Sequence, residues 1–534
     1  MVDGLCLSVL ICKFQLHFLF SCLHTLSVFQ NTEADPRIRK FKFRMGSGGC
    51  IVLYPFPLRG HVGPMLELAK QFVLRHHFSV TVLITTGPFD TPATTSYIHH
   101  ISQANPSITF LRLPPLSDPF SLVEPSPNRS SLVVLLEFIR LNNPNVLHAL
   151  KTISQITPVQ AFVVDMFTTS AVDVFSDLSI PTYIYFTCGA AALSAFLHLP
   201  IIDKQTTQNL KDLTTTHLHI PGLPPIRASH MPEPILDRDD QAYHECLKIS
   251  SQMTKSRAIM VNTFESLESV SLKAMEDGLC VPDGPTPPVY SVGPLISEPQ
   301  DGTEEAGNGG GGGVPKCLLW LDEQPPRSVV FLCFGSMGAF SGEQLKEIAI
   351  GLERSRQRFL WVVRSPPPSE KDKVVSKGSA AVDPDLDALL PEGFLERTKE
   401  RGLVVKSWAP QVAVLNRESV GGFVSHCGWN SVLEAVVAGV PILAWPLYAE
   451  QHMNRTVLVD AYKLAMPIDQ SDDGFVSADE VEKRVKSLMD SEDGRALRER
   501  SQEMRQQALT ALAEGGSSSI AFTKIADELC GNNI

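Results

Sequence analysis

The 534-residue chain reads as two doubly wound α/β units joined by a linker. Three observations point there. Short apolar runs suited to buried parallel strands recur in two series, with helical stretches between them. The first series holds Cys50–Tyr54, Val80–Thr85, Ile108–Leu113 and Ala161–Val164; the second holds Val329–Cys333, Phe359–Val363, Gly421–Ser425 and Pro441–Trp445. The chain is also too long for one hydrophobic core. Finally, Ser297–Pro315 is acidic and then runs through Gly309–Gly313, the composition of a flexible linker. The expected division is therefore 45–296, linker 297–315, and 316–534.

In the first half, Cys50–Tyr54 is followed by the loop Pro55–Gly60, His61, and an amphipathic helix over Pro64–Leu74. His61 thus falls where the first strand exits, the ligand-facing edge of such a sheet. Pro114–Pro127 is a proline-rich loop, and helices are expected over Leu132–Leu141 and Asn145–Ile156. Ala161–Val164 ends on Asp165. A carboxylate at the end of a buried strand is costly unless partnered, and His61 on the same edge is its natural partner. Such a pair fixes one imidazole tautomer and leaves the other nitrogen to take a proton. The competing reading of Asp165 is a cap for a helix through Thr169–Leu178. After the strand Thr182–Phe186, Thr187 opens another helix. Residues 201–256 have no clear pattern, and Pro221–Pro225 is a stiff loop.

The second half begins with Val329–Cys333. Gly335, Ser336 and Gly338 follow, small residues that let backbone N–H groups approach an anion. Phe334 rules out the G-x-S-x-G elbow of hydrolases. Trp408–Gln451 is the densest stretch: W-A-P-Q, then Gly421–Ser425, then His426-Cys-Gly-Trp-Asn-Ser431 leading into a helix over Val432–Ala438, then Pro441–Trp445 and Glu450-Gln451. Asn430 and Ser431 are N-cap types, and a helix start suits a phosphate. The C-terminal segments Ser477–Met489, Glu492–Ala513 and Ser518–Leu529 read as helices.

W-A-P-Q, H-C-G-W-N-S and E-Q at these spacings resemble the signature box of the plant secondary-product UDP-glycosyltransferases. The resemblance covers 46–534 and is strongest over 402–460. It implies the GT-B fold, two facing Rossmann-like domains with donor on the C-terminal half, acceptor on the N-terminal half, and the last helix packing back on the first domain. It implies that Trp408 stacks on the uracil, that Ala409 and Gln411 line the nucleoside, and that Glu434 grips the ribose hydroxyls. His426, Asn430, Ser431 and Ser336 would hold the diphosphate; Trp429, Glu450, Gln451 and Thr187 would hold the sugar. Gln451 rather than His points to glucose. P-x-x-G-H and the V-D strand end match the family's catalytic His and Asp, here His61 and Asp165. Arg59 departs from the pattern, standing where the family has a small or apolar residue.

Composition limits the alternatives. Apolar residues make up 43% and charged residues 19%, ordinary for a globular protein. A net charge of −12 disfavours nucleic acid and anionic membranes as partners. The 11 cysteines show no metal or CxxC spacing, which fits reduced thiols in the cytoplasm. Asp383-Pro-Asp385 is a D-x-D with no strand to position it, and the glycine run lacks the G-K-[ST] of a phosphate loop. Leu5–Phe29 is interrupted by Lys13 and makes a poor signal or anchor. Residues 1–44 are expected to be a non-globular or gene-model extension, with translation from Met45. Of the sequons at Asn128 and Asn454, the second falls inside an expected helix.

The expected function is inverting O-glucosylation, with UDP-glucose as co-substrate and no other cofactor or metal. The resemblance, including HIPGLPP, HMPEP, FGSMG and GFVSADE, points to flavonoid or related phenolic acceptors and a monomer without stable membrane insertion. The alternatives are the same fold acting on a terpenoid, hormone or carboxylate, and a non-catalytic nucleotide or small-molecule binder.

Overall fold

The computed structural model describes residues 49–87, 92–116, 130–175, 178–296, 314–367 and 383–531. The expectations for 1–44, for linker residues 297–313, for loop residues 117–127, for the Asn128 sequon and for 368–382 lie outside them.

The first half runs β1 (Cys50–Tyr54), α1 (Arg59–His76), β2 (Ser79–Ile84), α2 (Pro92–Ala104), β3 (Ile108–Arg112), α3 (Ser131–Ile156), β4 (Val159–Asp165), α4 (Ser170–Phe175), β5 (Thr182–Phe186) and α5 (Ala190–Gln205). A small hairpin of β6 (His217–Leu218) and β7 (Ile226–Arg227) follows, then α6 (Gln241–Met253), β8 (Ala258–Val261), α7 (Glu265–Glu276) and β9 (Val289–Ser291). Seven strands form one parallel sheet in the order β3-β2-β1-β4-β5-β8-β9. Alternate residues of β1 feed different cores: Val52 and Tyr54 pack on one face, Ile51 and Leu53 on the other. Covering both faces explains the continuous apolar run.

The second half runs α8 (Lys316–Asp322), β10 (Val329–Cys333), α9 (Gly342–Ser355), β11 (Arg358–Val363), α10 (Leu386–Leu389), α11 (Phe394–Thr398), β12 (Gly402–Lys406), α12 (Gln411–Leu415), β13 (Val420–Ser425), α13 (Trp429–Ala438), β14 (Ile442–Ala444) and α14 (Gln451–Thr456). A π-helical turn over Val457–Ala461 leads to β15 (Ala465–Pro467) and then α15 (Ala478–Asp490), α16 (Glu492–Leu512) and α17 (Ser517–Leu529). Its six parallel strands lie in the order β12-β11-β10-β13-β14-β15. This is the Rossmann order 3-2-1-4-5-6, and the first sheet repeats it with one strand added.

The halves are packed together. Phe264 and Leu267 of the first half share a core with Trp429 and Val432 of the second. Helix α17 returns to the first sheet, where the Phe522 ring meets Phe72 of α1 edge-on at 5.7 Å. Phe522 is fully buried, and burying such a side chain contributes about 1.5–3 kcal/mol.

Several local expectations change. The two helices around Asn142 are one, α3, which runs through Pro144 with Asn142 and Asn143 buried; Asn142 Nδ2 donates to Phe138 O at 2.9 Å. Helix α1 begins at Arg59, so His61 sits in its first turn rather than before it. Gly428 caps α13, placing Asn430 and Ser431 inside its first turn. Gly189, not Thr187, precedes α5. Among residues 201–256, α5, the hairpin and α6 replace an unpatterned stretch. Asn454 is buried on α14, with Nδ2 donating to Cys427 O at 2.9 Å.

Candidate active site

Open parallel sheets bind ligands outside the carboxyl ends of their strands, where the strand order reverses. In the first sheet that crevice lies between β1 and β4. There His61 Nδ1 is 2.9 Å from Asp165 Oδ2 and 3.2 Å from Thr187 Oγ1. Asp165 is fully buried, and its other oxygen accepts from Phe167 N at 2.9 Å. An ionised carboxylate only accepts, so the proton belongs on Nδ1 and Nε2 keeps its lone pair. The His61 side chain retains 15% exposure, enough to be reached. The rings of Phe56 and Phe167 flank it at 5.3 and 5.4 Å. Burial pulls the imidazole down, but the charge and hydrogen bond of Asp165, with the field of Glu450, leave it above its ordinary value.

In the second sheet the crevice lies between β10 and β13. Gly335, at φ +75°, follows β10, and His426 follows β13. A Cβ on Gly335 would stand 2.7 Å from His426 Nε2, and one on Gly428 2.5 Å, so both glycines make room for the ring. His426 is buried, Nδ1 has no protein partner among the described residues, and burial pushes its pKa down to about 4. It is neutral at pH ~7. Ser336, just beyond Gly335, is exposed.

Along α13 the side chains form a second cluster. Gln411 Nε2 donates to Ser431 Oγ at 2.8 Å and to Glu434 Oε2 at 2.6 Å. Burial pushes the Glu434 carboxyl up to about 7, against the opposing effects of Gln411 and Arg59. Trp408, just past the end of β12, is 41% exposed, while Ala409 beside it is buried.

The two rims touch. Pro64 has no N–H, so the Gly60 carbonyl one turn back in α1 lacks its helical donor; Asn430 Nδ2 supplies one at 2.9 Å. Glu450 is half-buried beside the first rim, with Cys188 Sγ at 3.7 Å and Asn454 Nδ2 at 3.3 Å from its Oε1. Burial raises its pKa. Gln451 is buried, and its Oε1 accepts from Leu447 N at 2.9 Å and Tyr448 N at 3.0 Å.

Trp429 stands apart from the other predicted residues. Its indole is only 3% exposed and donates to Asn262 O at 2.7 Å, and a Cβ on Gly189 would lie 2.7 Å from the ring. The ring is committed to the contact between halves, which leaves a ligand its backbone N–H in the first turn of α13. Asp383 and Asp385 are occupied locally: Asp383 Oδ1 accepts from Ser407 Oγ at 2.7 Å, and Asp385 caps α10.

Sequence reasoning missed Glu268. This buried carboxylate accepts from Ala190 N at 2.7 Å, Ala191 N at 2.9 Å and Tyr462 Oη at 2.7 Å. It caps α5 and so holds the Thr187–Gly189 segment, with a second-half residue as its third donor. Its partners lie far away in sequence, so no local pattern marks it. Glu233 was missed too; it accepts from and donates to Ala449 at 3.2 and 3.0 Å across the halves.

Two facing Rossmann-like sheets, with a histidine–carboxylate pair on one rim and an anion-suited helix start on the other, define a glycosyltransferase of the GT-B class. The profile described as "UDP-glucoronosyl and UDP-glucosyl transferase" matches residues 316–493. UDP-glycosyltransferase 88F4 of Malus domestica is 53% identical over 90% of this chain and all of its own. Phloretin 2'-O-glucosyltransferase of Pyrus communis is 53% identical over 88% of this chain and 97% of its own. Phytolacca americana UGT2, solved with UDP-2fluoro-glucose and pterostilbene, superposes with a TM-score of 0.79 at 37% identity, covering 90% of this chain and all of that one. The chain belongs to the UDP-glycosyltransferase family and is a glycosyltransferase enzyme.

Proposed function

We propose that the protein is an inverting O-glucosyltransferase that moves glucose from UDP-glucose to a hydroxyl of a flavonoid or related phenolic. One observation carries this reading: the His61–Asp165 pair stands 2.9 Å apart on one rim, joined through Gly60 and Asn430 to the helix start of the other. His61 Nε2 takes the acceptor proton as the phenolic oxygen bonds to the anomeric carbon. The bond from that carbon to the diphosphate oxygen breaks on the opposite face, and its electron pair leaves with UDP. Asp165 holds the tautomer and stabilises the imidazolium that forms. The α13 start, His426, Ser431 and Ser336 stabilise the charge growing on the diphosphate without a metal. Trp408 stacks on the uracil over Ala409 and Gln411, and Glu434 accepts from the ribose diol. Thr187, Glu450 and Gln451 face the sugar.

Phenolic acceptors fit this base, since a phenol with a pKa near ~10 needs only an imidazole to deprotonate it during attack. Phenolic chemistry is also shared by the pear phloretin enzyme and by the Phytolacca complex. The reading includes a monomer in the cytoplasm, an acceptor half through residue 296 and a donor half from 316. Among the described residues no helix is long and apolar enough to cross a membrane.

The test is transfer by protein beginning at Met45, beside its His61→Ala variant, with UDP-glucose, a chelator and a panel of flavonoids, chalcones and phenols. Hexose gain is read by mass. The variant is expected to lose roughly 10²–10⁴-fold in kcat while still binding UDP. Equal rates would overturn His61 as base; loss on chelation would overturn metal independence.

A further inference from the structure

The contact between the rims brings a cation to the nucleotide path. Pro64 frees the Gly60 carbonyl and Asn430 takes it at 2.9 Å, so the first turn of α1 is held against the first turn of α13. Arg59 precedes Gly60 in that turn. Its guanidinium lies over the Tyr97 ring, 5.3 Å from the centroid, which steadies the side chain. Its charge is felt at Glu434. Asn430 and Glu434 are four residues apart and share one face of α13. A nucleotide sugar lying along that face would run from diphosphate at the helix start to ribose at Glu434, and the Asn430–Gly60 bond sets Arg59 next in sequence to the residue held against that helix start.

The charge balance at the helix start asks for such a group. The side chains read as holding the diphosphate there, His426, Asn430, Ser431 and Ser336, are all neutral at pH ~7, with His426 held neutral by burial; the second half's cation on that rim, Arg364 just after β11, gives Nη1 to Ser407 O at 3.2 Å. A diphosphate carries at least two negative charges. Arginine is suited to answer them, because its planar fork gives two parallel N–H bonds to phosphate oxygens.

We propose that Arg59, though it belongs to the acceptor half, is a donor-binding residue that ion-pairs with the diphosphate of the nucleotide sugar across the cleft. The proposal rests on the UDP-sugar reading above and deepens it: nucleotide affinity is shared between the halves, and donor binding draws them together. It also assigns a role to the position where this chain departs from the small or apolar residue of the resembled family.

Calorimetric titration of the protein with uridine and with UDP, at low and high salt, tests it on the parent, Arg59→Leu, Arg59→Lys and Tyr97→Leu. Arg59→Leu is expected to weaken UDP by about 10–100-fold, the range of a charge-assisted hydrogen bond, and to leave uridine unchanged. It should also flatten the salt dependence of UDP binding, as loss of an ion pair requires. Arg59→Lys should fall between, and Tyr97→Leu, which removes the ring that steadies the guanidinium, should weaken UDP only a few-fold, about the worth of one exposed cation–π contact. In turnover, Arg59→Leu should raise the KM for UDP-glucose far more than it lowers kcat. Equal UDP affinity in parent and Arg59→Leu overturns the proposal. So does an equal loss for uridine and UDP, or a loss in Tyr97→Leu as large as in Arg59→Leu, since either makes the role architectural. A parent that binds no UDP overturns the nucleotide-sugar reading and this inference with it.

Discussion

The two halves share one strand order and furnish it with opposite chemistry. In the first, a histidine follows the first strand and an aspartate ends the fourth: His61 and Asp165, 2.9 Å apart. In the second, a glycine follows the first strand and a histidine follows the fourth: Gly335 and His426, with no room for a Cβ between them. The first imidazole, beside a carboxylate, sits above its ordinary value; the second, buried without one, is pushed down to about 4. One imidazole can accept a proton and the other stays neutral. Topology thus sets where a polar group stands, and the residue ending the neighbouring strand sets what that group can do.

The largest expected effect comes from erasing the difference in the first half. Asp165→Asn should lower kcat by roughly 10²–10⁴-fold. It should also move the acid limb of the kcat–pH profile to lower pH. The sign follows from the opposing influences on His61: burial lowers its pKa, and the charge and hydrogen bond of Asp165, with the field of Glu450, together raise it above its ordinary value. Without the carboxylate, the ring gives up its proton at lower pH. A limb that stays in place would mean Asp165 does not govern His61.

A smaller effect is expected from crowding the second half. Gly335→Ala puts a Cβ 2.7 Å from His426 Nε2 at a positive φ. About 1–3 kcal/mol of stability should be lost, with weaker UDP binding and an unchanged acid limb. Thermal unfolding and calorimetry read the two separately. An unaltered protein would show that His426 does not depend on that glycine.

The smallest concerns Glu434, whose carboxyl burial pushes up to about 7. If the ribose diol needs the ionised form, protons compete with the nucleotide. The UDP Kd should then rise as pH falls below that value, by at most roughly tenfold per pH unit for one proton. Glu434→Gln should bind more weakly at high pH and lose the pH dependence. A dependence that survives the substitution would assign it to another group.

Much of this was legible along the chain. The six residues His426–Ser431 and the helix after them announce an anion site because turn, cap and strand end are all local. His61 and Asp165 could be paired because both fall on strand exits of one sheet, and their partnership follows from the cost of a buried carboxylate. That the Gly60 carbonyl lacks a helical donor shows only once α1 is seen to begin at Arg59, ahead of the expected start at Pro64. What could not be read is which group fills that place. Asn430 lies 370 residues away, and only the packing of the halves delivers it.

The same limit explains the other misses. Trp429 belongs to a motif that suggested a sugar contact, yet its ring is spent on Asn262 and Gly189 across the interface. Glu268 carries no local sign, because its donors come from α5 and from Tyr462. Helix α3 absorbed Pro144 because tertiary burial of its neighbours outweighed one missing hydrogen bond. Periodicity and residue chemistry are properties of adjacent positions, so the strands, the residues at their exits and their chemical types are written in the chain, while the strand order is not. The contacts that join the rims form only between distant segments, so folding decides them: the Asn430 bond to Gly60 and the Glu268 cap with its Tyr462 donor.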